Sequence, residues 1–380
     1  LEPVAIIGAG MTDIRRERTS DTYADLVFEA CGKALDDAGM TIADVDVVLT
    51  GSNDFFDGRT ISSMAVMDAC GSYDKNVSTV EGDGTFGAAH AVMRVLAGWG
   101  TCLYCVHHKG SESVMPLITN AMFDPVFERF LGIEAVTSSA LQARAYMDRY
   151  GITEEQCAKV SVKNHGNALK NPVAQLAMEI SVDDVMSSPY ISDPIKLLDC
   201  SPVSDGASAI VLAGRERAGA FARKPVWVKG IGYNCDAFHL GDRDLARSDA
   251  LAAAAKKAYM DAGISEPTTE VDIAEVSDVF SYMELMWLEG LGLCGPGEGG
   301  ALIDSGRTAA GGDMPVNVSG GCLSGNPVLV SGLNRIIECA LQVRGDAGAR
   351  QVEGVGTAVA QGFNGPCGQS QCVWVLGGDV

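Results

Sequence analysis

Basic residues are scarce in this sequence: 28 Lys and Arg stand against 49 Asp and Glu, for a formal charge of −21. Neutralising a phosphate backbone takes clustered cations, so nucleic acid and an anionic membrane surface are excluded as bulk partners. One phosphorylated cofactor held by local donors is not. Nowhere do 18 apolar residues run uninterrupted, which excludes a membrane span. The opening LEPVAIIGAG lacks a basic segment leading into a long apolar core, so no secretion signal is expected and the cytoplasm is the expected compartment. Histidine is limited to His90, His107, His108, His165 and His239, none in an HExxH or paired-ligand pattern, and no metal site is expected. His165, in KNHGNALKNP, reads as a cap or loop buttress. His239 follows a strand, where active-site loops gather, and is kept as a catalytic candidate. The one CxxC, Cys102 to Cys105 in TCLYCVHH, reads as a buried strand whose alternation sends the two thiols to opposite faces. The other cysteines are scattered, which fits reduced thiols better than a disulfide framework.

Glycine is plentiful, 45 residues, and apolar residues make up 47% of the chain, with aromatics at only 6%; this is the profile of a glycine-punctuated α/β protein. Strand-like runs PVAIIGAG, VDVVLTGS, NVSTVEGD, TCLYCVHH and ASAIVLAG alternate with helical segments such as residues 23–38. From about 113 to 200 the rhythm changes to helices and loops, as an inserted excursion would. After residue 222 the alternation restarts: PVWVKGIGY, a helix over 248–262, IAEVSDVF, a helix ending near 293, NVSGG, a helix over 327–343, GTAVAQGF and QCVWVLGG. Two halves, 1–222 and 223–380, are expected to share one core. GAGMTD has two glycines of a dinucleotide fingerprint but no third and no acidic ribose partner, so a tight strand-to-helix turn is the expected use of those glycines.

Several long segments, in order, resemble a known family. GAGMTDIRRERTSDTYADLVFEACGKALDDAG, KNHGNALKNPVAQ, SPVSDGASAIVLAG, SDVFSYMELMWLEGLGLCGPGEGG and NVSGGCLSGNPVLVSG are similar to the thiolases of the sterol-carrier-protein-x and archaeal lineage. The resemblance covers nearly the whole chain and implies a five-layer αβαβα sandwich of two similar halves with an inserted loop domain. It also implies an acyl-CoA substrate, with coenzyme A present only as part of that substrate and no permanently bound cofactor. A homodimer core is implied too.

The family's nucleophilic cysteine sits at a helix N-terminus, where backbone donors favour thiolate. Here VEGDGTFG puts Gly84 at that position, with Asp83 before it as a capping residue. SDVF puts Ser277 where the family has His or Asn, while Asp278 and Phe280 match. GNP puts Asn326 in place of an oxyanion-holding histidine, and Asn326 keeps an amide donor. The loop that often carries a proton-shuttling cysteine reads QGFNGPCGQSQC, with Gly362 or Phe363 near that position and Cys367 further on. GGCLSGNP, with Gly320, Gly321 and Cys322, retains the frame of a pocket.

Covalent acyl transfer cannot pass through a glycine. What remains is a pocket that binds an acyl-CoA and stabilises an enolate, which suits retro-aldol cleavage of a 3-hydroxyacyl-CoA. The combination resembles the cysteine-less thiolase-like aldolases of steroid side-chain degradation, which use tyrosines as acid and base and work with a zinc-ribbon/OB-fold companion. Neither Ser277 nor Asn326 is a tyrosine, so Tyr282 and Tyr233 are the nearest candidates. The room left at Gly84 is then expected to receive a branched substrate carbon. Two alternatives stay open: a displaced thiol, Cys322 or Cys367, and a non-catalytic thiolase-like subunit.

Overall fold

The computed structural model describes residues 3–220 and 224–379. The expected boundary between the halves, at 222/223, lies outside the described residues. In chain order, β1 (Val4–Met11) leads to α1 (Tyr23–Ala38), β2 (Val47–Gly51), β3 (Asn76–Val80), α2 (Gly84–Leu96) and β4 (Cys102–Lys109). The chain then leaves the sheet for α3 (Met115–Ala121), α4 (Ala135–Tyr150) and α5 (Glu154–Ala168) and returns as β5 (Asp205–Gly214). The rest comprises β6 (Val226–Cys235), α6 (Asp249–Ala262), β7 (Ile273–Glu275), α7 (Ser281–Gly290), α8 (Ser331–Arg344), β8 (Thr357–Asn364) and β9 (Ser370–Gly377).

The strands lie in the order β3-β2-β4-β5-β1-β6-β9-β8-β7, so β1 and β6 meet at the centre. Outward from that seam the two sides match. β1 to β5 and β5 to β4 are antiparallel and β4 to β2 to β3 parallel; β6 to β9 and β9 to β8 are antiparallel, β8 to β7 parallel, and Val316 adds a parallel bridge to Ala274. The expected NVSGG strand shrinks to that bridge because Asn317 turns into the left-handed region, φ 51°, and spends its side chain on the Val276 N–H and Glu284.

Alternation sorts the strand residues into layers. Leu103, Cys105 and Val211 pack with Leu26, Ala30 and Ala34 of α1 on one outer face. Tyr104, Ile210, Ala358 and Trp374 pack with Ala88 of α2 and Leu333 and Ile336 of α8 in the middle. Val359, Val373 and Val375 pack with Leu251, Ala254 and Ala258 of α6 on the other outer face. This is the five-layer αβαβα sandwich that the family resemblance implies. Cys102 and Cys105 fall in different layers, as alternation requires, and all twelve cysteines are free.

The glycines of GAGMTD do not make a turn. Gly8 and Gly10 lie within β1, where a Cβ would stand 2.3 Å from the carbonyls of Ala34 and Ala30 respectively, so their absence of side chain lets α1 approach the strand. Gly230 and Gly232 in β6 do the same against Ala258 and Ala254 of α6. Between β4 and β5 the chain is mostly helical, with one short hairpin, Tyr190–Ser192 with Ile195–Lys196, that its sequence does not announce. Among the described residues no helix is long and apolar enough to cross a membrane, and no group of three or more His, Cys, Asp or Glu is placed to hold a metal.

Candidate active site

The central helices α2 and α8 start side by side, and the cavity opens beside their N-termini. Asp83 caps α2 by accepting from the Thr85 N–H at 3.0 Å and from the Thr85 hydroxyl. The Gly84 N–H donates to the Leu329 carbonyl at 2.8 Å. Two glycines allow this contact. A Cβ at Gly84 would stand 2.6 Å from Leu333 N and 2.8 Å from Leu333 Cβ, and one at Gly332 would stand 1.9 Å from Asp83 Oδ1. The expectation that the missing cysteine leaves room for substrate is therefore corrected: α8 of the same chain fills that space.

The cavity has a volume of about 810 Å³. Met115, Ile118 and Met122 from α3 and the residues after it, Val136 from α4, Met283 from α7 and Phe363 from the β8 end give it an apolar wall. Its polar lining includes Asp83, Ser277, Asn326, Ser331 and Arg335. Of the residues singled out in the sequence, the fold thus brings Asp83, Ser277, Asn326 and Cys367 to one cavity.

Asn326 is held on three sides. Its backbone N–H donates to Ser204 Oγ at 2.8 Å, its Nδ2 to Ser201 Oγ at 2.9 Å, and its Oδ1 accepts from the Ser331 hydroxyl at 2.7 Å. An amide nitrogen carries two hydrogens, so one remains for a ligand oxygen. Ser277 receives a different clamp: its N–H donates to Gln361 Oε1 and its carbonyl accepts from Trp287 Nε1, both at 2.8 Å.

Arg335, which the sequence reading did not single out, is buried with its guanidinium on the cavity wall. Nε donates to the Gln361 carbonyl at 2.6 Å, Nη1 to Cys322 Sγ at 3.1 Å and Nη2 to Asp83 Oδ2 at 3.3 Å. Burial would lower its pKa, but the surrounding Cys322, Asp83, Asp278 and Glu275 together more than offset this and raise it. Burial also pushes the Asp83 carboxyl above its ordinary range, with Arg335 and Thr85 opposing.

The thiols here are poor nucleophile candidates. Burial pushes Cys200 and Cys322 up to about 12 and Cys367 up to about 11, the opposite of what a reactive thiolate needs. Gly321 and Cys322 lie off the main cavity, on a water-sized space of about 30 Å³ that shares Ser331 and Arg335 with it. Gly320, at φ 95°, is packed against Ala168 and Ser324. Gly321, at φ 61°, passes so close to Asp278 that a Cβ would stand 2.3 Å from its carboxyl oxygens.

The remaining candidates are placed elsewhere. Tyr282 is buried behind the wall and donates to Gln142 Oε1 at 2.9 Å; Gln142 Nε2 in turn donates to the Cys367 carbonyl at 3.1 Å. That relay leads to the Cys367 loop on the cavity wall, and Ser139, which also lines the cavity, neighbours the phenol. Tyr233 is exposed on β6, and His239 is half exposed among Phe127 and Phe238. His165 is buried with Nδ1 3.1 Å from the Leu176 carbonyl, the loop buttress its sequence context suggests.

Asp278 supports the site from behind. It accepts from the N–H groups of Cys322 and Leu323 and from Asn164 Nδ2, and burial, aided by the Glu284 charge, pushes it up to about 6. A folded-state value above the unfolded one means that its contribution is fully present below about pH 4 and is lost as pH rises through about 6. The size is about 3 kcal/mol for roughly two pKa units. In urea melts from pH 4 to 7 the unmodified protein should therefore lose stability as pH rises through about 6, and Asp278→Asn, which cannot ionise there, should lack this part of the slope.

Comparison with known proteins bears on the family and the fold. Residues 119–216 match the family model for the thiolase N-terminal domain and residues 232–378 that for the thiolase C-terminal domain-like family. An acetyl-CoA acetyltransferase of Methanothermobacter thermautotrophicus is 35% identical across 97% of this chain and 98% of its own length. Sterol carrier protein 2 of Oryctolagus cuniculus is 31% identical across 94% of this chain and 69% of its own. Among solved structures, an Ltp2-ChsH2(DUF35) aldolase matches with a TM-score of 0.85 at 26% identity, covering 99% of this chain and 97% of that one. Acetyl-CoA acetyltransferase from Syntrophomonas wolfei matches with a TM-score of 0.74 at 18% identity, over 100% of both chains, a likeness of fold alone.

Proposed function

The chain belongs to the thiolase family, and from that premise we propose that it is a carbon–carbon lyase performing retro-aldol cleavage of a 3-hydroxyacyl-CoA without an acyl-enzyme. In this reaction the 3-hydroxyl loses its proton and becomes a carbonyl. The Cα–Cβ bond breaks, and its electron pair settles on the thioester as an enolate. Protonation at Cα then gives the shortened acyl-CoA beside a ketone or aldehyde.

The observation that carries this reading is Gly84 pressed against Leu333: the nucleophile is absent and its space is closed. Charge stabilisation remains available. The free Asn326 N–H and the Arg335 guanidinium are donors fixed before substrate arrives, the arrangement that stabilises a developing oxyanion at least reorganisation cost. The apolar wall and the size of the cavity suit a bulky, branched acyl group, such as a steroid side chain. The aldolase named above supports the same direction, and its name pairs it with a DUF35 partner. A zinc-ribbon/OB-fold companion, implied by the resemblance, and a homodimer core are part of the proposal, as is a cytoplasmic location. Roles for Ser277, Asn326 and the Tyr282 relay belong to it as well, with Tyr282 positioning the Cys367 loop.

The test is to incubate the purified chain, alone and with a DUF35-type companion, with branched 3-hydroxyacyl-CoA and 3-ketoacyl-CoA. Released ketone or aldehyde plus a shortened acyl-CoA is the expected result, and it should fall by roughly 10²–10³ in Asn326→Ala, as for loss of one oxyanion donor. CoA-dependent thiolysis contradicts the reading. Silence in every combination favours the non-catalytic subunit, a role to which the replacements at 84, 277 and 326 also point.

A further inference from the structure

At the C-terminal end of β4 two histidines sit next to each other and, by alternation, face opposite ways. His107 has a partner: its Nε2 lies 3.1 Å from Asp57 Oδ2, and its ring stacks edge-on with Tyr23. His108 has none. It is fully buried, neither Nδ1 nor Nε2 has a hydrogen-bond partner among the described residues, and the residue borders the 810 Å³ cavity. Its ring neighbour is the edge of Phe56 at 5.3 Å, an apolar contact that satisfies neither nitrogen.

Its surroundings tie it to the oxyanion candidate. A Cβ on Gly110 would stand 3.3 Å from His108 Nε2 and 2.8 Å from Val203 Cγ1, so Gly110 brings the imidazole and the 201–204 segment close together. The same segment clamps Asn326, through Ser201 Oγ, Ser204 Oγ and the Val203–Asn326 bridge. Val203, His108 and Asn326 all line the cavity. Two nitrogen-bearing residues thus border it around one stretch of backbone, one with a spare donor and one with both ring nitrogens unpartnered. A neutral imidazole offers one acceptor and one donor, and burial keeps this ring neutral by pushing it down to about 4. An unpartnered acceptor nitrogen beside the cavity matches a hydroxyl on the acyl chain.

We propose that His108 is a specificity-determining residue that accepts a hydrogen bond from the 3-hydroxyl of the bound acyl-CoA, distinguishing a 3-hydroxyacyl chain from its deoxy counterpart. This rests on the lyase reading for the identity of the substrate, but it can be tested without turnover. The probes are two CoA thioethers with the same branched chain, one carrying the 3-hydroxyl and one lacking it. Neither has the thioester carbonyl that an enolate requires, so neither is cleaved.

Calorimetric titration of the full chain, together with its companion where turnover requires one, should give roughly tenfold tighter binding of the hydroxylated thioether. In His108→Phe that preference should vanish while affinity for the deoxy thioether is kept. His108→Gln, which retains an acceptor, should recover part of it; His108→Ala replaces the Phe variant if the latter does not fold. A hydroxyl preference that persists in His108→Phe and His108→Ala overturns the proposal, as does failure of the unmodified protein to bind either thioether. If the preference is present and lost on substitution but no ketone or aldehyde is ever released, the hydroxyl contact stands and the lyase reading falls.

Discussion

Gly84→Cys is expected to lose stability, by about 1–3 kcal/mol, and to gain no thiolytic activity. The added Cβ would meet Leu333 N at 2.6 Å and Leu333 Cβ at 2.8 Å, and neither neighbour is the loose end of a flexible chain. Overpacking of this kind forces backbone shifts with costs in that range. The two central helices would have to part, and the Gly84 N–H bond to the Leu329 carbonyl would lengthen with them. Restoring sulfur also restores no base, because Ser277 stands where the resemblance places His or Asn, and Asn326 where it places a histidine. Urea denaturation reads the first effect and a thiolysis assay the second. A stable, acylatable Gly84→Cys would show that the space is open after all.

A larger loss is expected from Arg335→Met. Removing one partner of a buried ion pair leaves the other uncompensated, at about 3–5 kcal/mol. Here the stranded group is Asp83, whose carboxyl is already pushed upward by burial and is opposed chiefly by Arg335. The double variant Asp83→Asn/Arg335→Met should recover part of the loss, and a double-mutant cycle isolates the coupling between them. The recovery should be confined to stability. Turnover should stay low in both variants, because the guanidinium on the cavity wall is gone from each. If Asp83→Asn alone matches the double variant in turnover, Arg335 contributes nothing beyond holding the carboxylate.

Most strands were legible in the sequence because they are buried on both faces and read as apolar runs, while their five-layer stacking was legible only through the family resemblance. PVAIIGAG and QCVWVLGG announce β1 and β9 without help from context. The repeat was legible too, more sharply than its rhythm suggests: the spaced glycines of IIGAG and VKGIG mark the same strand-helix approach in the two halves. Reading the first pair as a turn missed this, because a glycine that frees the backbone and a glycine that admits a neighbour look alike in one dimension.

The site was less legible, for reasons of distance along the chain. Gly84 could be located from its motif, but Leu333 above it lies on another helix, and only the packing shows the seat to be filled. Arg335 in SGLNRIIECALQVR reads as an ordinary charged residue of an amphipathic helix, since its partner Asp83 is 252 residues away. Tyr282 lies in SYMELMWLEG, nearly all of which is buried, so no apolar stripe told which way the phenol points. His108 was within reach: alternation along β4 separates it from His107, although the loss of every partner is visible only in three dimensions.

The central claim is that this chain handles a CoA thioester by holding charge and never becomes acylated itself. Intact-protein mass spectrometry, on samples quenched while a branched 3-hydroxyacyl-CoA is being consumed, tests it most directly. Unmodified protein mass alongside accumulating ketone or aldehyde is the predicted result. An acyl adduct on any of the twelve cysteines, formed and lost at the rate of turnover, would contradict it.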